Sequence, residues 1–325
     1  MTVERFLEHA GCEVPLICGA MYPCSNPELV GAVSAAGAIG IVQPLSLIYV
    51  HEQDLREGLR EIVRLSGGRP IGFNAIVEKS AAAYERRMRN WVAIALEEGV
   101  RFFVTALGNP RWVVDAVHAE GGYVYHDVTE RKFAEKALDE GVDGLICVNS
   151  RAGGHAGGRD PKALFDELSD LGVPLVRAGG VGDEHEFERA LDTGYAGVQM
   201  GTRFIATPEC KVHDGYRKAI VDADAEDIVL TDKLSGVPCA VIRSEVVDRL
   251  GAQSSGLARW LLKNRRTKHW MRTFYAVRAL RSLKRSALRG LGSNDVWQAG
   301  KSVAGVSEVL PAGEIVRRCA AVVPR

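Results

Sequence analysis

The 325-residue chain predicts an α/β protein, a closed (β/α)8 barrel carrying a mostly helical C-terminal excursion. Three observations carry this. Short β-branched runs alternate with longer amphipathic segments from the start, and eight such units fit into about 220 residues, which favours a closed barrel over an open doubly wound sheet. Gly99, Gly121, Gly141, Gly172 and Gly194 each stand where a helix should stop, just before the next strand. The densest glycine clusters follow the sixth, seventh and eighth strands, on the rim where barrels build their sites.

The expected strands are 14–21, 39–43, 71–77, 102–107, 123–128, 145–148, 175–178 and 198–205. Helices are expected near 26–36, 51–66, 81–98, 110–120, 130–140, 161–171, 184–193 and 209–222. Ser25-Asn26-Pro27 opens the first with a cap and a proline at the first turn. Asp183 precedes an acidic turn, Glu184 and Glu186, suited to a helix N-terminus.

The last third breaks the rhythm. Residues 224–300 hold one plausible extended run, Cys239–Ile242, followed by a basic helical region. From Arg259 to Arg289 there are eleven Lys/Arg and no acidic residue, interleaved with Trp260, Trp270, Phe274 and Tyr275. The expected division is a barrel over 1–223 and 296–325 with a helical substrate cap over 224–295. The returning segment, with Leu310 and Ile315, should pack on the barrel.

Lys+Arg and Asp+Glu both number 41, so overall charge predicts no nucleic-acid partner. The basic aromatic stretch reads as a solvated cap face, or one that grips substrate phosphates. No run of about 18 apolar residues predicts a membrane span. The seven cysteines are odd in number and form no C-x-x-C pair, which points to a reducing, cytoplasmic setting. The pairs His126-Asp127, His185-Glu186 and His213-Asp214 lack metal-ligand spacing and read as structural or surface residues, so no metal is expected. Cys24 reads as an ordinary buried thiol.

The chemistry should sit in 149–158, where four glycines surround His155 and Arg151 lies just upstream. A flexible hairpin is the plain alternative; the position after strand six favours a site. On the same rim fall Met21 after strand one, Asn74 in strand three, Gly179-Gly180 after strand seven, and Gln199-Met200-Gly201-Thr202 in strand eight. Glycine turns after strands seven and eight are the usual phosphate site of this fold, which Gly179, Gly180, Gly201 and Thr202 suit.

Gly153-Gly154-His155-x-Gly157, Ala178-Gly179-Gly180-Val181 and Gln199-Met200-Gly201-Thr202-Arg203-Phe204 resemble the nitronate monooxygenase (2-nitropropane dioxygenase) family, which includes a flavin-dependent enoyl-reductase branch. The stretch from Met21 to Gly40 and Gly72-Phe73-Asn74 agree, so the resemblance runs from about 14 to 320. It implies a TIM barrel binding FMN, with Met21, Asn74 and Gly153 beside the flavin, Gly180, Gly201 and Thr202 on its phosphate, and Gln199 and Met200 completing that motif. It also implies His155 as the base or orienting donor at the substrate, or as an imidazolium attracting an anionic nitronate. Many members carry a glutamine and an acidic residue where this chain has Asn149 and Arg151. Asn149 is expected to bond the flavin with a shorter reach, and Arg151 to favour an anionic substrate.

The resemblance implies an FMN-dependent oxidoreductase, foremost a nitronate monooxygenase oxidising alkyl nitronates with O2. The alternatives are an FMN-dependent reductase or dehydrogenase of an enoyl- or acyl-CoA-type substrate, and a flavin-binding protein without turnover. A small-molecule substrate and O2 are the expected partners, with a homodimer an allowed assembly.

Overall fold

The computed structural model describes residues 2–78, 82–232, 237–250, 268–292 and 296–323. Eight parallel strands close into a barrel in chain order: β1 (Leu16–Cys18), β2 (Ile39–Val42), β3 (Gly72–Ile76), β4 (Phe102–Ala106), β5 (Tyr123–Val128), β6 (Gly144–Val148), β7 (Leu175–Ala178) and β8 (Gly197–Met200). β8 returns to β1 with Gln199 beside Ile17 and Met200 beside Cys18.

Alternation along each strand divides the side chains into two cores. Ile17, Ile39, Ile41, Phe102, Val104, Tyr125, Ile146 and Val176 face inward and fill the barrel. Their neighbours Phe73, Phe103, Val124, Val128, Leu145 and Cys147 face outward against the helices. A helix over Thr2–Ala10, absent from the expected elements, stoppers the N-terminal end of the barrel. Its Phe6 is fully buried, 6.2 Å from the Phe102 ring and 5.9 Å from the Tyr125 ring. The open end is therefore the C-terminal rim.

Several helices begin and end as their residues dictate. Asp54 accepts from the Arg56 and Glu57 amides to open Leu55–Leu65. Asp183 accepts from the Glu186 amide to open Glu184–Thr193, which closes on Gly194 at φ 109°.

Three expectations are corrected. The eighth strand does not run to Ile205: it stops at Met200, and Thr202–Ile205 is one helical turn in which the Phe204 and Ile205 amides donate to the Gly201 carbonyl. A short helix, Pro44–Tyr49, intervenes after β2 because Gln43 caps the Leu45 amide and Pro44 suits a first turn. Cys239–Ile242 (β10) is not alone but pairs antiparallel with Ile228–Thr231 (β9).

The excursion is joined to the rim by backbone bonds. The Ala240 amide donates to the Gly154 carbonyl at 2.8 Å, and the Ile242 amide to the Trp297 carbonyl at 2.9 Å. The basic stretch is described from Lys268 onward, in a helix over Lys268–Arg289; residues 259–267, with Trp260, lie outside the described residues. Helix Ala312–Ala321 buries Ile315, Val316 and Cys319 among Leu29, Val33, Phe187 and Ala190, so the final segment packs on the barrel as expected.

Candidate active site

The barrel mouth is lined by polar side chains whose strands point them inward. Asn74 lies beside Val104, and Gln199 between Ile17 and Ala178, all on the interior face. Gln199 packs over Gly19, where a β-carbon would stand 3.0 Å from its Cδ. Its Oε1 is buried without a hydrogen-bond partner among the described residues. Such an atom is costly unless a ligand satisfies it. Met21 reaches the same rim from β1, its Sδ 3.3 Å from where a Gly201 side chain would begin.

The loops after β6 and β7 are locked together by Asn149. Its amide nitrogen donates to the Gly179 carbonyl at 3.0 Å, and its Oδ1 accepts from the Arg151 amide at 2.8 Å. The side chain is fully buried. The residue expected to bond the flavin thus also fixes two loops. Gly179, at φ 116°, serves the same closeness: a β-carbon there would lie 2.6 Å from both the Ala152 nitrogen and the Asn149 Oδ1.

Gly153 meets the returning chain. A β-carbon on Gly153 would approach the Gly300 nitrogen to 3.0 Å; the Gly300 amide donates to the Thr202 hydroxyl at 3.0 Å and the Lys301 amide to the Arg151 carbonyl at 2.9 Å. Sequence reasoning missed Gly300, whose only signal was a small residue in a polar stretch. Met200 departs from its expected place. Its side chain is buried outside the barrel with Leu16, Val198 and Phe204, leaving only its backbone, whose carbonyl accepts from the Gly19 amide at 2.9 Å.

Gly180 adopts φ 77°, and the Arg151 side chain lies across it. The Arg151 Nε is buried and finds no hydrogen-bond partner among the described residues. Arg177 is close enough that its own charge is disfavoured first by burial and, to a lesser extent, by Arg151. An unpaired buried guanidinium N–H beside a left-handed glycine fits a phosphate, so these residues suit a phosphorylated cofactor.

His155 keeps accessible surface, yet burial by the surrounding loops lowers its imidazole pKa below the usual value. A lowered pKa favours the neutral imidazole, which can accept or orient a proton. The His155 loop is pinned on both sides, by the Gly154–Ala240 bridge and by Gly157, whose β-carbon would meet Thr129 at 3.3 Å.

His126 and Asp127 were expected to be structural or surface residues. His126 is structural: it is buried on the outer face of β5, 2.8 Å from the Thr105 hydroxyl, and burial lowers its pKa to about 4. Asp127 is on the inward face, beside Ile146, at the mouth end of β5. Its Oδ1 is buried with no partner among the described residues, and burial raises its pKa to about 7. The signal available in sequence was parity: Asp127 is two residues from Tyr125 on a strand that reads as barrel wall.

The model of the nitronate monooxygenase family matches residues 4–320 of the chain. A relative from Mycobacterium tuberculosis, (3aS,4S,5R,7aS)-5-hydroxy-7a-methyl-1-oxo-octahydro-1H-indene-4-carboxyl-CoA dehydrogenase, is 29% identical over 257 residues, covering 77% of this chain and 70% of its own. A nitronate monooxygenase from Pseudomonas aeruginosa is 28% identical, covering 72% of this chain and 78% of its own. Among solved structures, FabK from Thermotoga maritima superposes with a TM-score of 0.78 at 26% identity, over 98% of this chain and 95% of that one. The inward polar mouth, the glycine rim of loops six to eight and the match across nearly the whole chain make this an oxidoreductase of the nitronate monooxygenase family.

Proposed function

We propose that the protein is an FMN-dependent oxidoreductase acting on a CoA-thioester substrate. The observation that carries the substrate class is the helix Lys268–Arg289 at the barrel rim. Arg278, Arg281, Arg285 and Arg289 recur at three- and four-residue intervals and are exposed, while Ala279, Ser286 and Ala287 are buried behind them. The helix is tied to the rim by Lys284, which donates to the Tyr49 carbonyl at 2.7 Å, and by Ala287, whose carbonyl accepts from the His213 amide at 2.6 Å. A four-arginine face beside a redox site suits the phosphates of coenzyme A. The carboxyl-CoA dehydrogenase relative supports the same class.

In this reading Arg151, Gly180, Gly201 and Thr202 hold the FMN phosphate, while Met21, Asn74, Gly153 and Gln199 surround the flavin ring. FMN, when bound, supplies the electron transfer. The chain's own work is to hold it, to exclude water with the β10 contact on Gly154, and to place the neutral His155 at the substrate. The second reading, oxidation of an alkyl nitronate by O2, is favoured by His155 in its Gly153-Gly154-His155 turn and by the nitronate monooxygenase relative.

The test is anaerobic mixing of the purified yellow protein with hexanoyl-CoA and, separately, with ethyl nitronate, after chromatographic identification of the released flavin. The CoA reading predicts FMN and bleaching by hexanoyl-CoA. A response to ethyl nitronate alone would transfer the assignment to the second reading.

A further inference from the structure

Asp127 is a carboxylate inside the barrel mouth that nothing in the fold requires. It is the penultimate residue of β5, on the inward face above Tyr125. Its flanking strands bring Thr105 and Ala106 from β4, and Ile146 and Cys147 from β6. The Thr105 hydroxyl is taken by His126 on the outer face, and Cys147 packs into the outer core. None of these is a cation, and the other inward polar residues of the mouth, Asn74 and Gln199, are neutral. The buried Oδ1 has no hydrogen-bond partner among the described residues. The His155 loop is seated on Thr129, two residues beyond Asp127, through Gly157. A half-buried carboxylate at the barrel mouth, with no ion pair among the described residues, has the environment of an acid/base group.

We propose that Asp127 is the carbon-proton acceptor of this site, removing a proton from a substrate carbon that bears a carbonyl or nitro group. The inference rests on the oxidoreductase reading above. In the step, one C–H bond breaks and its proton bonds to the Asp127 carboxylate. The electron pair stays on the substrate, as an enolate or a nitronate, so the step needs no oxidant. Desolvation brings the carboxylate's basicity up to the neutral range, where such a base is most effective. The sequence carries no signal for this role beyond strand parity.

The experiment follows exchange of carbon-bound hydrogen for deuterium by proton NMR, with the holoprotein in D2O and either acetyl-CoA or nitroethane as probe. Acetyl-CoA has no β-hydrogen, so exchange is separated from oxidation. Wild-type protein is expected to accelerate exchange of one probe, with a rate that rises through neutral pH. Asp127→Asn should lower that rate by about 100-fold or more, and Asp127→Glu should restore part of it. An infrared carboxyl band that titrates near neutrality in wild type, and is missing from Asp127→Asn, gives a readout independent of substrate. Exchange retained in Asp127→Asn, or abolished in His155→Asn alone, overturns the proposal. So does wild-type protein that exchanges neither probe yet is bleached by hexanoyl-CoA; that result leaves the oxidoreductase reading standing. Failure of hexanoyl-CoA and ethyl nitronate to change the flavin spectrum sinks that reading instead.

Discussion

Arg151 lies across Gly180 so closely that a β-carbon at position 180 would stand 2.5 Å from the Arg151 Nε. The pair joins the loops after β6 and β7 and leaves one buried N–H of the guanidinium unpaired among the described residues. The arginine, expected at the substrate, packs against Gly180, the glycine proposed for the FMN phosphate.

Gly180→Asp is therefore expected to displace Arg151, strain a left-handed backbone and repel a phosphate at once. The purified variant should be folded but colourless, as absorbance near 450 nm will show. A fully yellow variant would contradict the placement.

Arg151→Met keeps the stem of the side chain and removes the charge. Loss of one charge-assisted phosphate bond is worth about 1.5–3 kcal/mol, so flavin should bind roughly 10–100-fold more weakly. Fluorescence titration of FMN into the stripped protein measures this, and unchanged affinity would assign Arg151 to the substrate.

Asn149→Ala should act on stability. It leaves the Gly179 carbonyl and the Arg151 amide without their partner, at about 1–3 kcal/mol for buried groups. The melting temperature is expected to fall by several degrees with the flavin still retained at saturation; loss of flavin with unchanged melting would show that Asn149 is a direct ligand.

His155→Asn should keep the flavin and lower turnover by about 100-fold or more. Because burial lowers the His155 pKa, the neutral form persists below the usual histidine range. Turnover limited by this ring should hold as pH falls through 6.5 and decline only in more acidic solution. Decline already centred at or above 6.5 would argue against a desolvated imidazole.

Asp127 makes a stability prediction apart from any reaction. Its carboxyl titrates at about 7 when folded and near 3.9 when unfolded. Between those values the unfolded chain has released a proton that the folded chain keeps, so stability falls as pH rises through that window and levels off above it. Asp127→Asn should thus melt higher than wild type at pH 8, with the gap closing toward pH 4. A gap independent of pH would show that the folded carboxyl is not desolvated.

Much of the barrel is legible in the sequence because its strands are short, apolar and bounded by glycine. Residues 39–42, 123–128 and 175–178 lie where alternation puts them. What escapes depends on partners distant in sequence. Ile228–Thr231 has one exposed leucine and becomes a strand only through Cys239–Ile242. Thr2–Ala10 is nine residues whose reason to be helical is the barrel end that Phe6 closes. The strand read through Gly201 ends there because a glycine carbonyl collects two amides, which β-branching around it conceals.

The site divides the same way. The glycines and His155 announce themselves by density, and loop packing brings them together. Composition does not report which way the side chains of Met200 and Asp127 turn. Parity does, and it sends Met200 into the outer core and Asp127 into the mouth.

The contacts of Gly300 with Thr202 and Gly153, and of Lys301 with Arg151, have a consequence in time. The loop bearing His155 is made halfway through synthesis, but its final fastening arrives about 150 residues later. On a ribosome adding roughly 5–20 residues per second, the pocket waits unfinished for many seconds after its own residues have emerged. A message truncated before codon 300 would yield a His155 loop without this fastening.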